Sequence, residues 1–307
     1  MKKTLILTSA LCGLGFAAQA QNQEVNVVSW GGAYEKSQVE AYNIPFSKET
    51  GIKVNMLAAD NPATPLKAQV EAKNITGDVF DIEVSDAIRL CDEGALVEIN
   101  PDDLPAAPDG TPAKDDFIPG ALRECAVANI FWGTVIAFDK TKFGDNPPKT
   151  AADFFDTAKF PGKRGLPKNP KRTLYLALIA DGVAPDNLYP LDIPRAFRSL
   201  TRIRPSVVAW WRDGSDNQQL FADRVVDIGA AFNGRIGNLQ KQGMDLRIEW
   251  NQGLLLQDFW AVAAKSRNSA AAQRFIAFAL RPDRQADFVR RIPYGPTNAG
   301  AFDLIEP

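Results

Sequence analysis

Apolar positions along this chain recur with two periods. Val25, Val27 and Val28 mark a strand over Glu24–Val28, and the turn Ser29-Trp30-Gly31-Gly32 leads into a helical pattern from Tyr34 to Lys48. Ile52, Val54 and Met56 then alternate with polar residues, which completes a strand-helix-strand unit with the spacing of a parallel sheet. The pattern repeats as a helix over Pro65–Lys73, a strand over Asp78–Val84 and a helix over Asp86–Glu93. A Pro-rich stretch from Pro101 to Pro119 reads as a long surface loop, and an apolar strand, Asn129–Asp139, follows it.

Beyond the turn Gly144-Asp145-Asn146-Pro147-Pro148 a new series begins. It holds an apolar helix over Thr173–Ile179, a strand within Arg224–Asn233 and another over Leu246–Trp250. A second apolar strand, Leu254–Ala263, brings the chain back, and two helical patterns close it, Ala270–Leu280 and, restarting after Pro282, Asp283–Arg291. The expected fold is α/β with two lobes joined by two crossover strands that act as a hinge. Residues 21–138 form the first lobe, 139–256 an inserted second lobe, and 257–307 the return to the first. A ligand in such a fold gathers at the carboxyl ends of the strands, between the lobes.

The first twenty residues fall outside that pattern. Lys2-Lys3, an uncharged run from Leu5 to Ala18 and the small residues of Ala18-Gln19-Ala20 read as a cleaved export signal over 1–20, with a soluble, periplasmic product. Export leaves Cys91 and Cys125 in an oxidising compartment, where a disulfide is expected; two unrelated buried thiols are the alternative. The chain has 45% apolar and 23% charged residues and a formal charge of -2, which gives no general attraction to nucleic acid. It contains no histidine, so no Ser-His-Asp or Cys-His nucleophile and no histidine-bearing zinc site can form. No cofactor or metal is expected.

The candidate binding residues stand where strands end. Trp30 and Tyr34 offer flat walls around Gly31, or else cover the edge of the sheet. Trp132 and Phe232 lie at strand ends, and Trp260 follows Asp258. Asp258 interrupts an apolar strand, and Arg235 follows the apolar run that ends at Phe232, so each needs a partner if buried. They pair with each other or with backbone groups, or they hold a ligand with two poles. The run Lys163–Arg172 lies between prolines and reads as a solvated loop, from which Arg172 alone reaches inward.

The segments 27–34 (VVSWGGAY), 129–139 (NIFWGTVIAFD), 225–236 (VVDIGAAFNGRI), 254–268 (LLLQDFWAVAAKSRN) and 290–298 (RRIPYGPTN) resemble, in order and spacing, the periplasmic solute-binding proteins of ABC importers, of the spermidine/putrescine type. The resemblance implies a receptor without catalysis that passes a small amine to a membrane permease and works as a monomer. It implies Trp30 and Tyr34 as walls, Ser85 and Asp86 as a strand-end contact, and Trp132 and Phe232 as further aromatics. Asp258 becomes an amine-binding acid and Tyr294 a late residue of the cleft. Where relatives of that type carry an acid, this chain has Phe232-Asn233-Gly234-Arg235, which turns the expected ligand from a polyamine into a zwitterion such as gamma-aminobutyrate. The relatives also continue past the segment 290–298 with a final helical portion, so either a truncated sequence or a shortened lobe is expected. Binding of a true polyamine, putrescine or spermidine, stays open as the alternative, and so do two readings of other kinds. One is a secreted enzyme using Asp81, Asp86 or Asp258 as acid or base. The other is a ferric-ion binder with oxygen ligands.

Overall fold

The computed structural model describes residues 24–305, and the export signal expected over 1–20 lies outside them. Nine strands form one sheet: β1 Glu24–Ser29, β2 Lys53–Ala58, β3 Val79–Glu83, β4 Leu122–Arg123, β5 Ala126–Asp139, β6 Arg164–Pro167, β7 Val207–Trp211, β8 Ile228–Phe232 and β9 Leu246–Val262. Their order is β2-β1-β3-β9-β5-β8-β6-β7, with β4 paired to β5. β1, β2 and β3 run parallel to one another, as do β6, β7 and β8, and the antiparallel pair β5–β9 joins the two sets.

That pair makes the fold two-lobed. β3 bonds only to the Asp258–Val262 end of β9, whereas β8 bonds only to the Thr134–Phe138 part of β5. Between these flanks β5 and β9 pair with each other and with no further strand, save for a bridge from Phe131 to Gly295, and register shifts at Ala128/Ile130 and Thr134/Ile136 lie at either end of that stretch. Leu255, in its middle, is 64% exposed. Apolar packing divides in the same way. One core gathers residues between Val25 and Trp132 and again between Phe259 and Tyr294, while the cores beside β6 and β8 draw on residues from Ile136 to Leu246.

The central strands are apolar almost throughout because helices cover both faces of the sheet. The helix entered at Gly32 continues to Thr50 through a π-helical turn over Val39–Asn43 and ends at Gly51, in the left-handed conformation that closes helices. Cys91, in the helix Val84–Asp92, and Cys125, just before β5, are joined by the expected disulfide.

Three expectations need correction. The two strands read over Leu246–Trp250 and Leu254–Ala263 are one strand, β9, which carries on through Gln252 at positive φ. The Pro-rich stretch is not all surface, since a short helix, Ala113–Asp116, and Phe117 pack against the first core. The basic run is not one solvated loop: its first half is β6, buried along its length, and its end opens a helix at Pro170. Arg164 is fully buried there and donates to the carbonyls of Phe154, Gly162 and Phe160. Backbone acceptors satisfy the guanidinium, which lets a charged residue stand in an interior strand.

Candidate functional site

A polar cavity of about 280 Å³ lies between the lobes where β1, β3 and β8 give way to loops and helices and β9 passes beside them. Of the residues read from the sequence, Trp30, Tyr34, Asp86, Trp132, Phe232, Arg235, Asp258 and Tyr294 line it. Gly31 and Ser85 do not, and both serve instead in contacts between the lobes. The Gly31 carbonyl accepts from Arg235 Nη2 at 3.1 Å, and Ser85 Oγ accepts from Lys171 Nζ at 2.6 Å. Asp86 lines the wall but is paired to Arg89 in its own helix at 3.0 Å.

Trp260, weighed as a wall because it follows Asp258, belongs to the core. It shares Asp258's face of β9 but lies two residues further from the carboxyl end of the neighbouring β3, about 7 Å deeper. There it is fully buried against Tyr42 and Phe275.

The first lobe supplies acids. In the β3–β9 register Glu83 stands opposite Asp258 and Asp81 opposite Trp260, so these three carboxylates share one face of the sheet. Asp258 is 5% exposed, and its Oδ1 has no protein partner. Burial, and then the charges of Asp81 and Glu83, hold its carboxyl well above the usual range, with the Trp132 indole and Arg172 acting in the opposite sense.

The second lobe supplies cations from the first turns of helices. Arg172 is the third residue of the helix Pro170–Ala180, and Arg235 the third of the helix Asn233–Lys241. Arg172 reaches over to Glu83, which Lys171 Nζ also approaches at 3.4 Å, and its guanidinium lies over the rings of Trp132 and Phe232 at 5.1 and 5.2 Å. Those rings pack edge to face at 4.9 Å, and Trp211 braces Phe232 from behind at the same distance. Glu83, Lys171 and Arg172 are therefore committed to one another across the cleft.

Arg235 is placed differently. Asn233 fixes the start of its helix by accepting from the Gly133 N–H at 2.8 Å and donating to the Pro293 carbonyl at 2.7 Å. Gly214 makes room for the guanidinium, because a Cβ there would stand 2.6 Å from Arg235 Nε. Only Nη2 finds partners, the carbonyls of Trp30 and Gly31, while Nε and Nη1 have none although the residue is 3% exposed. Tyr34 and Tyr294 complete this end, with rings 5.7 Å apart, and burial pushes the Tyr294 phenol up to about 12.

Of the alternatives raised by the sequence, Arg235 does use backbone acceptors, but it makes no ion pair with Asp258 among the described residues. Two buried charges of opposite sign thus face one cavity, each with polar atoms left over. Sequence reasoning missed Glu83, which looks like any acid at the end of an apolar strand, and Asp60, Asn61 and Asn169, which lie in loops without a pattern. Among the described residues no cluster of three or more potential ligands is arranged to hold a metal ion.

Comparison with known proteins agrees with this architecture. Residues 41–306 match the family described as bacterial extracellular solute-binding protein. A gamma-aminobutyric acid-binding protein of Pseudomonas aeruginosa is 40% identical over 303 residues, covering 96% of this chain and 84% of the relative. The spermidine/putrescine-binding periplasmic protein of Salmonella typhimurium is 25% identical, covering 85% of this chain and 75% of its own. A solved structure of a GABA receptor superposes with a TM-score of 0.81 at 33% identity, over 93% of this chain and 86% of that one.

Proposed function

The chain belongs to the bacterial extracellular solute-binding proteins, and from that membership we propose that it is the periplasmic binding component of an ABC importer whose ligand is a small zwitterionic amino acid such as gamma-aminobutyrate. The ligand's ammonium lies against Asp258 and its carboxylate against Arg235, with Trp30, Tyr34, Trp132 and Phe232 around the methylene chain. It is bound and released unchanged by a monomer exported with its signal removed, and the closed form docks on the membrane permease. No nucleic acid takes part.

The observation that carries the reading is that Arg235 and Asp258 are both buried, both have unpartnered polar atoms and are not bonded to each other. Leaving such groups bare is costly, and a molecule with one charge of each sign satisfies both. The helix that carries Arg235 has no side-chain cap, so its first-turn N–H groups add to the attraction for a carboxylate. A diamine, the ligand of the polyamine-binding relatives, fits less well. It needs a second free acid, and Glu83 is already held by Arg172 and Lys171. A fixed guanidinium costs a second ammonium about 4 kcal/mol at roughly 4 Å and an effective dielectric near 20.

Isothermal titration with gamma-aminobutyrate, putrescine and spermidine tests the reading. One molecule of gamma-aminobutyrate per chain is expected, bound more tightly than either polyamine. Failure of all three to bind at millimolar concentration removes the amine reading, and tighter binding of putrescine removes the zwitterion.

A further inference from the structure

Beneath the floor of the cavity lies a carboxylate outside its wall. Asp81 is wholly buried and takes no part in the cavity wall. Its Oδ2 accepts from Ser29 Oγ at 3.0 Å, Tyr34 Oη at 2.8 Å and Gln38 Nε2 at 2.8 Å, while Oδ1 has no partner. All three donors are uncharged. Glu83, on the same face, has both Arg172 and Lys171, but among the described residues no salt bridge reaches Asp81 or Asp258. Two neighbouring carboxyl groups thus share a buried region without a cation of their own, and ionising both there is strongly disfavoured.

We propose that the Asp81–Asp258 pair holds one proton while the site is empty and releases it when a ligand's ammonium arrives, so that Asp81 sets the site's demand for a positive charge without touching the ligand. The proton leaves a carboxylic O–H for the solvent, the ligand keeps its own three N–H bonds, and the pair is left doubly ionised beside one new cation. This inference rests on the site taking an amine.

The surroundings agree. Burial raises Asp81 to about 6 even against its hydrogen bonds, and burial followed by the charge of Asp81 raises Asp258 further from the ordinary range. The two titrate as a pair, so the proton belongs to both. Tyr34 and Tyr42 on the covering helix, and Tyr294, have phenols raised by burial and stay neutral near pH 6. Asn129 and Trp132 of β5 carry no charge. Glu83 with Lys171 and Arg172 leaves one positive charge over, and Arg172 offsets part of the rise at Asp258, yet neither cation forms a salt bridge with the pair. Asp60, Asp86 with its partner Arg89, Arg212 and Asp213 stand elsewhere around the cavity, and Arg235 on the opposite wall keeps its charge throughout. A ligand ammonium is therefore the cation the pair lacks.

Titration calorimetry of the full chain with gamma-aminobutyrate, and with putrescine, in two buffers of different ionisation enthalpy counts the protons exchanged. Near pH 6 about one proton is released per ligand bound, so affinity rises with pH by about tenfold per unit until the empty pair ionises by itself, above which both effects vanish. Asp81→Asn keeps an oxygen acceptor for the three donors and removes the repelling charge, so release near pH 6 falls by at least half and the pH profile flattens. One-to-one binding of wild-type protein with a heat independent of buffer overturns the proposal and leaves the amine reading intact. Release by Asp81→Asn equal to that of wild type also overturns it. Absence of binding to either compound overturns both. If Asp81→Asn does not fold, the two-buffer comparison on wild-type protein still decides.

Discussion

The two lobes face the same cavity with opposite chemistry. The first presents its acids on strands, Glu83 on β3 and Asp258 on β9, with Asp81 behind them on β3, all fixed by a sheet register that leaves no freedom of position. The second presents Arg172 and Arg235 on the first turns of helices, where a cation opposes the helix dipole unless an anion lies nearby. For Arg172 that anion is Glu83 of the other lobe; for Arg235 the protein offers only two carbonyls. One acid-base pair closes the lobes upon each other, and a second pair is left for the ligand to complete. Binding a molecule with a charge at each end and shutting the cleft are thus one event, because the ligand bridges the two walls.

The largest effect that tests this division is expected at its acidic half. Asp258→Ala leaves a ligand ammonium buried without an anion, so binding of gamma-aminobutyrate and of putrescine weakens by at least about 100-fold in calorimetry. Equal affinity in the variant would separate the acids from the site. Closure itself can be disturbed while both charged groups stay in place. Gly32 lies at φ +66, and a Cβ there would meet Ser215 Oγ of the other lobe at 2.3 Å. Gly32→Ala is expected to weaken all ligands about tenfold, combining the left-handed strain with a blocked approach. Small-angle scattering with saturating ligand then shows a less compact form than wild type. The smallest effect on binding is expected from the disulfide, which ties the helix Val84–Asp92 to the entrance of β5 within the first lobe alone. Replacing Cys91 and Cys125 by Ser costs roughly 3 to 4 kcal/mol of stability by loop entropy. A lower melting temperature with affinity changed by less than about twofold would place it outside the cleft.

The lobes also differ in how far the sequence foretells them. In the first, alternating apolar residues and the Trp30-Gly31-Gly32 turn mark β1, its helix and the strands that follow, and Asp258 stands out because a charge in an apolar strand needs a reason. In the second, the same logic points to Arg235 through the apolar run of β8. It misleads at β6, where four cations and two prolines over residues 163–171 suggest solvent, although the strand is interior and carbonyls absorb the charge of Arg164. The cross-lobe commitment of Glu83 to Arg172 leaves no trace in the sequence, since it joins residues 89 positions apart that meet only when the lobes do. Asp81 is visible as an acid, but that it lies behind the wall, with only neutral donors, follows from the β3–β9 register.

The central claim is that the cavity has two poles, and Arg235→Ala addresses it most directly. Calorimetry of wild type and variant with gamma-aminobutyrate and putrescine should show the zwitterion losing at least about 100-fold in affinity. Putrescine, freed of a repelling charge, is retained or improved. If gamma-aminobutyrate binds the variant as well as it binds wild type, or if putrescine is lost along with it, Arg235 is not the partner of the ligand's carboxylate and the bipolar account fails.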